Sequence, residues 1–210
     1  MPTIPTQLGP ILPWLDLFGI AVFAASGALA AVKARQTLVT AAFFALVTGV
    51  GGGSVRDLLI GAPVFWTHDP WVAAVCLGVA VLIWVTPPRW LRESTLDWFD
   101  AVGLAVYTVF GAAKSLAYGI PPVPAFLMGV VTACVGGIIR DVLAGEPSII
   151  VRPEIYVTAG ALASALYVGL TLVGVPNFAA AAVAASAGFG LRAAAIVWKL
   201  RLPAYRSPSR

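Results

Sequence analysis

Long apolar stretches separated by short polar or proline-containing breaks run through this chain from end to end. They predict seven helical spans, at 12–32, 38–60, 71–86, 98–118, 124–144, 153–173 and 177–200. Each is near the roughly 20 residues that a helix needs to cross a bilayer, and the third is the shortest. Prolines fall at or near the predicted ends, as at Pro70, Pro87, Pro121, Pro153 and Pro176. The pattern predicts an all-α membrane protein.

Composition narrows the class. The chain is 60% hydrophobic and 10% charged, with a mean hydropathy of +0.94, whereas a soluble domain has about 25% charged residues. Residues 1–210 are therefore predicted to form a single membrane domain whose partner is the lipid bilayer. The basic residues are scattered between apolar segments, so we expect no nucleic-acid partner. Cys76 and Cys134 lie in apolar runs and His68 is the only histidine, so we expect no disulfide, metal site or cofactor.

Basic residues between the predicted spans are all on one side. Nine fall in the first, third and fifth loops and at the C-terminal end: Lys33, Arg35, Arg89, Arg92, Arg152, Lys199, Arg201, Arg206 and Arg210. The N-terminal segment and the second, fourth and sixth loops contain none. By the positive-inside rule, this predicts a cytoplasmic C-terminus and an external N-terminus in the cell's inner (plasma) membrane.

The chain repeats itself at a constant offset of 84 residues. The segment DLFGIAVFAASGA at 16–28 aligns with DAVGLAVYTVFGA at 100–112, and VTGVGGGSVRDLLIGAP at 47–63 aligns with VTACVGGIIRDVLAGEP at 131–147. Each unit holds three spans, so the second must enter the membrane from the opposite side. We therefore predict two inverted repeats, 12–86 and 98–173, followed by a seventh helix at 177–200. Inverted repeats are typical of transport proteins, whose pathway lies at the repeat interface.

Glycines interrupt the second and fifth predicted spans at equivalent positions. They are Gly49, Gly51, Gly52 and Gly53 in the first repeat, and Gly136 and Gly137 in the second. One interpretation is close helix packing through small residues. The alternative is a kink or unwound turn whose freed carbonyls face a wet cavity. In both repeats the glycines are followed by charged residues, which helix packing alone would not require. We therefore favour the second interpretation and predict helices broken near Gly51 and Gly136.

Each glycine segment is followed by an arginine–aspartate doublet, Arg56-Asp57 and Arg140-Asp141. Neighbouring positions do not face each other on a helix, so each charge is expected to need another partner. The simplest pairing joins Asp16 to Arg56 and Asp100 to Arg140. These charges are predicted to lie at the two mouths of a pathway, either as structural ion pairs or as groups that also set the field there.

Two further cations fall within predicted spans. Lys114 aligns with Ala30 of the first repeat, and an ionisable group so deep in a membrane is a functional candidate. We expect Lys114 to plug the pathway by donating to carbonyls freed at the glycine kink, with Thr48 or Ser54 as side-chain partners. Snorkelling to the outer interface is the alternative. For Arg192, snorkelling or pairing is expected.

The seven spans, GVGGGSVRD in span two, VGGIIRD in span five and the lysine in span four resemble the TRIC (trimeric intracellular cation) channels, specifically their prokaryotic members. The resemblance covers residues 14–200. It implies a homotrimer with one pore per protomer that conducts monovalent cations, chiefly K⁺. The family's kinked glycine segments match the glycines of spans two and five here, its membrane lysine matches Lys114, and Thr48, Ser54 and Thr132 adjoin the implied pathway.

Other functions remain as alternatives. A secondary transporter of a small solute such as glycine could use the same inverted repeats. An intramembrane serine hydrolase is disfavoured because Ser54 lies in no G-x-S-x-G motif. A retinal protein is disfavoured because Lys199, the only lysine of the last span, lies at its end. The chain is thus not expected to be an enzyme.

Overall fold

The computed structural model describes residues 12–91 and 94–203, with side chains from residue 16 onward except that of residue 88. This part of the chain forms seven α-helices, as predicted. They are α1 (Leu12–Lys33), α2 (Leu38–Leu59), α3 (Pro70–Val85), α4 (Thr95–Ala117), α5 (Pro122–Ala144), α6 (Val157–Leu172) and α7 (Asn177–Trp198). Arg92, Arg206 and Arg210, which contributed to the predicted orientation, lie outside the described residues.

Five helices (α1, α2, α4, α5 and α7) are long and apolar enough to cross a membrane, and α3 and α6 are shorter apolar helices of 16 residues. The sixth predicted span began four residues too early. Residues 153–156 instead continue the irregular backbone that follows the 3-10 turn at Ile149–Val151. Glu154 there forms an antiparallel bridge with Arg201, which requires extended rather than helical backbone. The chain is a multi-pass membrane protein.

Helix contacts occur in two matching sets. In the first set α1 packs on α2 and α3 packs on both, and in the second α4 packs on α5 and α6 packs on both. The sets meet where α2 contacts α5 and α1 contacts α4, while α7 packs on α4 and α6. This arrangement supports the predicted division into two repeats and a seventh helix.

Three of the glycines, Gly51 and Gly52 of α2 and Gly136 of α5, lie where these two helices cross. A Cβ at Gly52 would collide with the carbonyl oxygen of Thr132, and a Cβ at Gly136 would lie 2.6 Å from the carbonyl oxygen of Thr48. Both helices are α-helical without interruption across these positions. The predicted break near Gly51 and Gly136 is therefore wrong, because the absent side chains serve close helix packing rather than unwinding.

The connections after α2 and α5 also match. Gly61 and Gly145, which are 84 residues apart, follow the two helices with φ of +69° and +71°, a left-handed conformation that suits glycine. Each connection then forms a 3-10 turn, at Phe65–His68 and Ile149–Val151. These turns bring backbone amides back towards the charged doublets.

Candidate functional site

The first charge cluster is built around Asp57, near the end of α2. Its Oδ1 accepts hydrogen bonds from Arg56 Nε at 2.9 Å and Nη2 at 2.8 Å, and lies 2.8 Å from Lys114 Nζ of α4. Its Oδ2 accepts a 3.1 Å hydrogen bond from the backbone N–H of Phe65. Arg56 and Asp57 are buried, and the Lys114 side chain is 14% exposed. Two cations and one backbone donor thus share one buried carboxylate.

The second charge cluster is built around Arg140, near the end of α5. Its Nε and Nη2 donate to Asp141 Oδ1 at 2.9 and 2.8 Å. Its Nη1 pairs with Asp100 of α4 and donates to Ser26 Oγ of α1 at 3.1 Å. Asp141 Oδ2 accepts a 2.8 Å hydrogen bond from the backbone N–H of Ile149. One buried cation thus serves two carboxylates.

The arginine and aspartate of each doublet contact each other directly, contrary to the prediction from helix geometry. The neighbouring Cβ atoms do diverge around the helix. However, the long arginine side chain bends back, so that its guanidinium donates through two nitrogens to one oxygen of the adjacent carboxylate. The spacing rule failed because it follows Cβ directions and not the reach of a flexible side chain.

Of the two predicted ion pairs, the structure forms one. Arg140 pairs with Asp100 as expected. Asp16 instead accepts a 3.0 Å hydrogen bond from the Tyr107 hydroxyl, and the Arg56 guanidinium lies 5.3 Å from the centre of the Phe110 ring. The predicted Asp16–Arg56 ion pair is thus wrong for the described residues: the Asp16 carboxylate is hydrogen-bonded to Tyr107, and the guanidinium of Arg56 is bonded to Asp57.

Lys114 points inward, but its partner differs from the prediction. Its ammonium pairs with the Asp57 carboxylate and lies 5.8 Å and 5.9 Å from the ring centres of Phe65 and Tyr118. The predicted partners were glycine carbonyls, Thr48 or Ser54. The unbroken helix keeps the carbonyls in its own hydrogen bonds, so the buried carboxylate takes the ammonium.

The other predicted site residues lie along the α2–α5 crossing or beside it. Thr48 and Thr132 are buried, and Thr132 Oγ1 donates to the carbonyl of Met128 at 2.5 Å. Ser54 Oγ donates to the carbonyl of Val50 at 2.7 Å and accepts from Trp66 Nε1 at 2.9 Å. Gly49 adjoins Cys76, Gly51 adjoins Ile139, Gly53 adjoins Phe65, and Gly137 adjoins Tyr156.

Comparison with known proteins places this arrangement in a family. A family model described as "Glycine transporter" matches residues 13–88 and 97–172. The UPF0126 inner membrane protein YadS of Escherichia coli K12 is 40% identical over 196 residues, which cover 91% of this chain and 95% of that protein.

Two solved structures have the same fold. A TRIC trimeric intracellular cation channel orthologue from Rhodobacter sphaeroides matches with a TM-score of 0.85 and 42% identity, over 91% of this chain and 100% of that one. A prokaryotic TRIC channel studied in 0.5 M KCl matches with a TM-score of 0.82 and 27% identity, over 91% of this chain and 98% of that one. The chain belongs to the prokaryotic TRIC channel family.

The family model matches the chain twice, once in each of the two repeated units. Its two segments in this TRIC-family chain begin 84 residues apart (97 − 13), the offset at which the motifs recur. The inverted orientation and exact bounds of the repeats remain a prediction, which the paired helix contacts support.

Sequence reasoning missed several residues of the clusters in this TRIC protein. Tyr107 and Ser26 supply polar contacts, and Phe110 covers Arg56. Each stands where the repeat differs: Tyr107 aligns with Phe23, and Ser26 aligns with Phe110. Seven of the 13 positions in this block differ between the two copies, however, so the difference alone does not single these residues out.

Several buried polar atoms of the TRIC clusters have no hydrogen-bond partner within the described residues. They are Thr48 Oγ1, Arg56 Nη1, Asp100 Oδ2 and Tyr156 OH. Buried polar groups of this kind are normally satisfied by ordered water. The atoms lie near the α2–α5 crossing and in both clusters, so the interior offers polar groups to water or ions at several depths.

Proposed function

We propose that this protein is a monovalent cation channel that conducts mainly K⁺, as a homotrimer with one pore per protomer. One similar solved structure is described as a TRIC trimeric intracellular cation channel orthologue, and another as a prokaryotic TRIC channel. The observation that carries the proposal is the set of buried charges within helices long enough to span a membrane. Ionisable residues at such depth are costly and mark ion pathways.

The pathway runs in two halves on either side of the α2–α5 crossing. The first half passes Asp16, Asp57 and Lys114, and the second passes Asp100 and Asp141. Thr48 and Thr132 lie between them. Carboxylates attract cations, while the small glycines of α2 and α5 keep the two helices close and fix the positions of the doublets.

Lys114 gates the first half. Its ammonium occupies the carboxylate of Asp57, which a permeating cation would otherwise approach. A fixed positive charge opposes a cation by about 4 kcal/mol at 4 Å with an effective dielectric constant of 20. The Lys114–Asp57 ion pair therefore represents the closed state, and conduction requires the pair to separate.

Planar-bilayer recording tests the channel. Purified protein is recorded under KCl gradients and then under mixed K⁺ and Na⁺. We expect ohmic single-channel currents that reverse near the K⁺ equilibrium potential, with smaller currents when Na⁺ replaces K⁺. Reversal near the Cl⁻ equilibrium potential, or no unitary current, contradicts the proposal.

A secondary transporter of a small solute is the second candidate, and the description of the matching family model as "Glycine transporter" favours it. Proteoliposomes loaded without solute separate the two functions. Saturable uptake of labelled glycine that depends on an ion gradient, without unitary currents, supports the transporter. Currents without glycine uptake support the channel.

The predicted orientation and assembly complete the proposal. The N-terminus lies outside and the C-terminus in the cytoplasm, in the inner (plasma) membrane. Reporter fusions to each terminus test the orientation. Native mass spectrometry of the solubilised protein tests the trimer, and a monomer as the only species contradicts it.

A further inference from the structure

A second polar site lies at one end of the helix bundle. A cavity of about 330 Å³ opens between the start of α4, the connection from α5 to α6, and the end of α7. Its polar lining consists of Ser94, Asp97, Glu154, Arg192, Lys199 and Arg201. These residues are separate from the two charge clusters, and the proposed channel function makes no use of them.

Arg192 forms the buried floor of this cavity. It is 1% exposed, and its guanidinium lies 5.3 Å from the centre of the Tyr156 ring. Nη1 donates to the Ile155 carbonyl at 3.3 Å, and Nη2 is 3.0 Å from Glu154 Oε2 but outside hydrogen-bonding geometry. Nε has no hydrogen-bond partner among the described residues. The charge of Arg192 is thus balanced by Glu154, but two of its nitrogens lack a hydrogen-bond acceptor, which a ligand in the cavity would supply.

The C-terminal segment holds the opposite wall in place. Glu154 and Arg201 form an antiparallel bridge, and the backbone N–H of Leu202 donates to the carbonyl of Pro153 at 2.8 Å. Lys199, at the rim, has a left-handed φ of +51°. The cavity is therefore built by defined backbone contacts rather than by loose surface side chains.

The lining carries both signs of charge. Three cations (Arg192, Lys199, Arg201) face two carboxylates (Asp97, Glu154). Arginine is well suited to bind phosphate, and carboxylates accept hydrogen bonds from a primary ammonium. A ligand that carries a phosphate and an ammonium satisfies both groups. The volume lies at the lower end of the roughly 300–1,000 Å³ range of ligand pockets, which is larger than a small amino acid such as glycine needs.

The surroundings place the cavity at a membrane surface. It lies at the ends of two helices long enough to span a bilayer, α4 and α7. Val197 and Trp198, in the last turn of α7, are 60% and 69% exposed. Tryptophan is enriched at the headgroup level of membranes. The charged cavity therefore adjoins an apolar surface that acyl chains can contact.

We propose that this cavity binds the phosphoethanolamine headgroup of a membrane phospholipid. The phosphate lies on Arg192 and Lys199, and the ammonium lies on Asp97 and Glu154. The bound headgroup joins the start of α4, the α5–α6 connection and the end of α7.

Native mass spectrometry of the full-length protein in detergent tests the site. The probes are phosphatidylethanolamine, phosphatidylcholine and phosphatidylglycerol with the same acyl chains, together with soluble glycerophosphoethanolamine and glycine. We expect phosphatidylethanolamine to bind about tenfold more tightly than phosphatidylcholine, whose quaternary amine has no N–H to donate. The same lipid should raise the temperature of thermal unfolding more than the other two.

Substitutions of charged residues that line the cavity test the same proposal while leaving the buried Arg192 in place. Lys199→Gln should weaken phosphatidylethanolamine binding about tenfold, the size of one charge-assisted hydrogen bond. Asp97→Asn should reverse the preference, because it removes the ammonium partner and leaves the cations to favour anionic phosphatidylglycerol. Arg89→Gln and Glu146→Gln change exposed charges outside the cavity and should leave lipid preference unchanged.

Several outcomes overturn the proposal. Equal binding of the three lipids shows that the headgroup is not recognised. Lys199→Gln behaving like Arg89→Gln shows that the cavity is not the site. Glycerophosphoethanolamine binding as tightly as the lipid assigns the site to a soluble ligand, and displacement of the lipid by glycine assigns it to a small amino acid.

Discussion

The two charge clusters share a motif but differ in their balance of charge. In the first, Arg56 and Lys114 both contact Asp57. In the second, one cation among the described residues, Arg140, pairs with both Asp100 and Asp141. Both clusters contain the arginine–aspartate doublet, and in both a backbone N–H donates to Oδ2 of the doublet aspartate. The copies differ instead on α1 and α4, where Lys114 aligns with Ala30.

This difference suggests that the two charge clusters have different roles. A carboxylate shared by two cations keeps one partner when the other leaves, so the Lys114–Asp57 pair can open at limited cost. A single buried cation between two carboxylates cannot leave without exposing both to an apolar interior. The first cluster is therefore suited to movement and the second to holding helices α1, α4 and α5 together.

The largest expected effect comes from removing the shared cation of the second cluster. Arg140→Met should lower the free energy of unfolding by about 3–5 kcal/mol, because it leaves two buried carboxylates without a cation. Arg56→Met should cost clearly less, because Asp57 retains Lys114. Denaturant titration of the solubilised protein, followed by tryptophan fluorescence, measures both. Equal losses would show that the clusters do not differ in the way described.

The next largest effect is expected from substitutions at the crossing of α2 and α5. Gly52→Ala should lower the free energy of unfolding by about 1–3 kcal/mol, since the new methyl group collides with the Thr132 carbonyl. Gly136→Ala should act in the same direction through the Thr48 carbonyl. Gly78→Ala is the matched control: nothing lies within 4 Å of its Cβ position, so a gain of about 0.5–1 kcal/mol is expected. Similar results at Gly52 and Gly78 would refute the close crossing.

Substitution of Lys114 tests whether its ion pair with Asp57 opens during gating. Lys114→Ala should raise the open probability and flatten its voltage dependence, because moving one full charge across 100 mV is worth about 2.3 kcal/mol and Lys114 crosses only part of the field. Lys114→Arg should retain part of both properties. Single-channel recording measures these changes, and Arg89→Gln controls for loss of an exposed charge. Unchanged gating in Lys114→Ala would assign the ion pair a structural role.

Hydrophobic patterning was sufficient to predict most of the fold. The span predicted at 12–32 is α1 (Leu12–Lys33), and the shortest predicted span, 71–86, is α3 (Pro70–Val85). Apolar length determines where a membrane helix lies, and proline marks its ends. The start of α6 was misplaced because residues 153–156, just before Val157, are irregular backbone that a bridge between Glu154 and Arg201 holds in place.

The site was less predictable because it depends on how helices approach one another. The sequence allowed the glycines to unwind α2 or to pack it against α5, and only the position of the Thr132 carbonyl decides between them. The partner of Lys114 likewise depends on the distance between α4 and α2. Asp100 and Arg140 were paired correctly, because both lie towards the same membrane face in adjacent helices.

The smallest expected effect isolates a contact that only the second cluster has. Ser26 Oγ accepts from Arg140 and donates to the Phe23 carbonyl at 2.9 Å, whereas the aligned Phe110 covers Arg56 with an apolar ring. Ser26→Ala should lower the free energy of unfolding by about 1 kcal/mol, because Arg140 loses one acceptor but keeps both carboxylates. Thr86→Ala removes a hydroxyl of a partly exposed residue that donates to the carbonyl of Leu82, one turn earlier, and should have no measurable effect. If Ser26→Ala instead approached the loss expected for Arg140→Met, the serine would be essential for holding the arginine, and the two carboxylates could not by themselves explain the rigidity of this cluster.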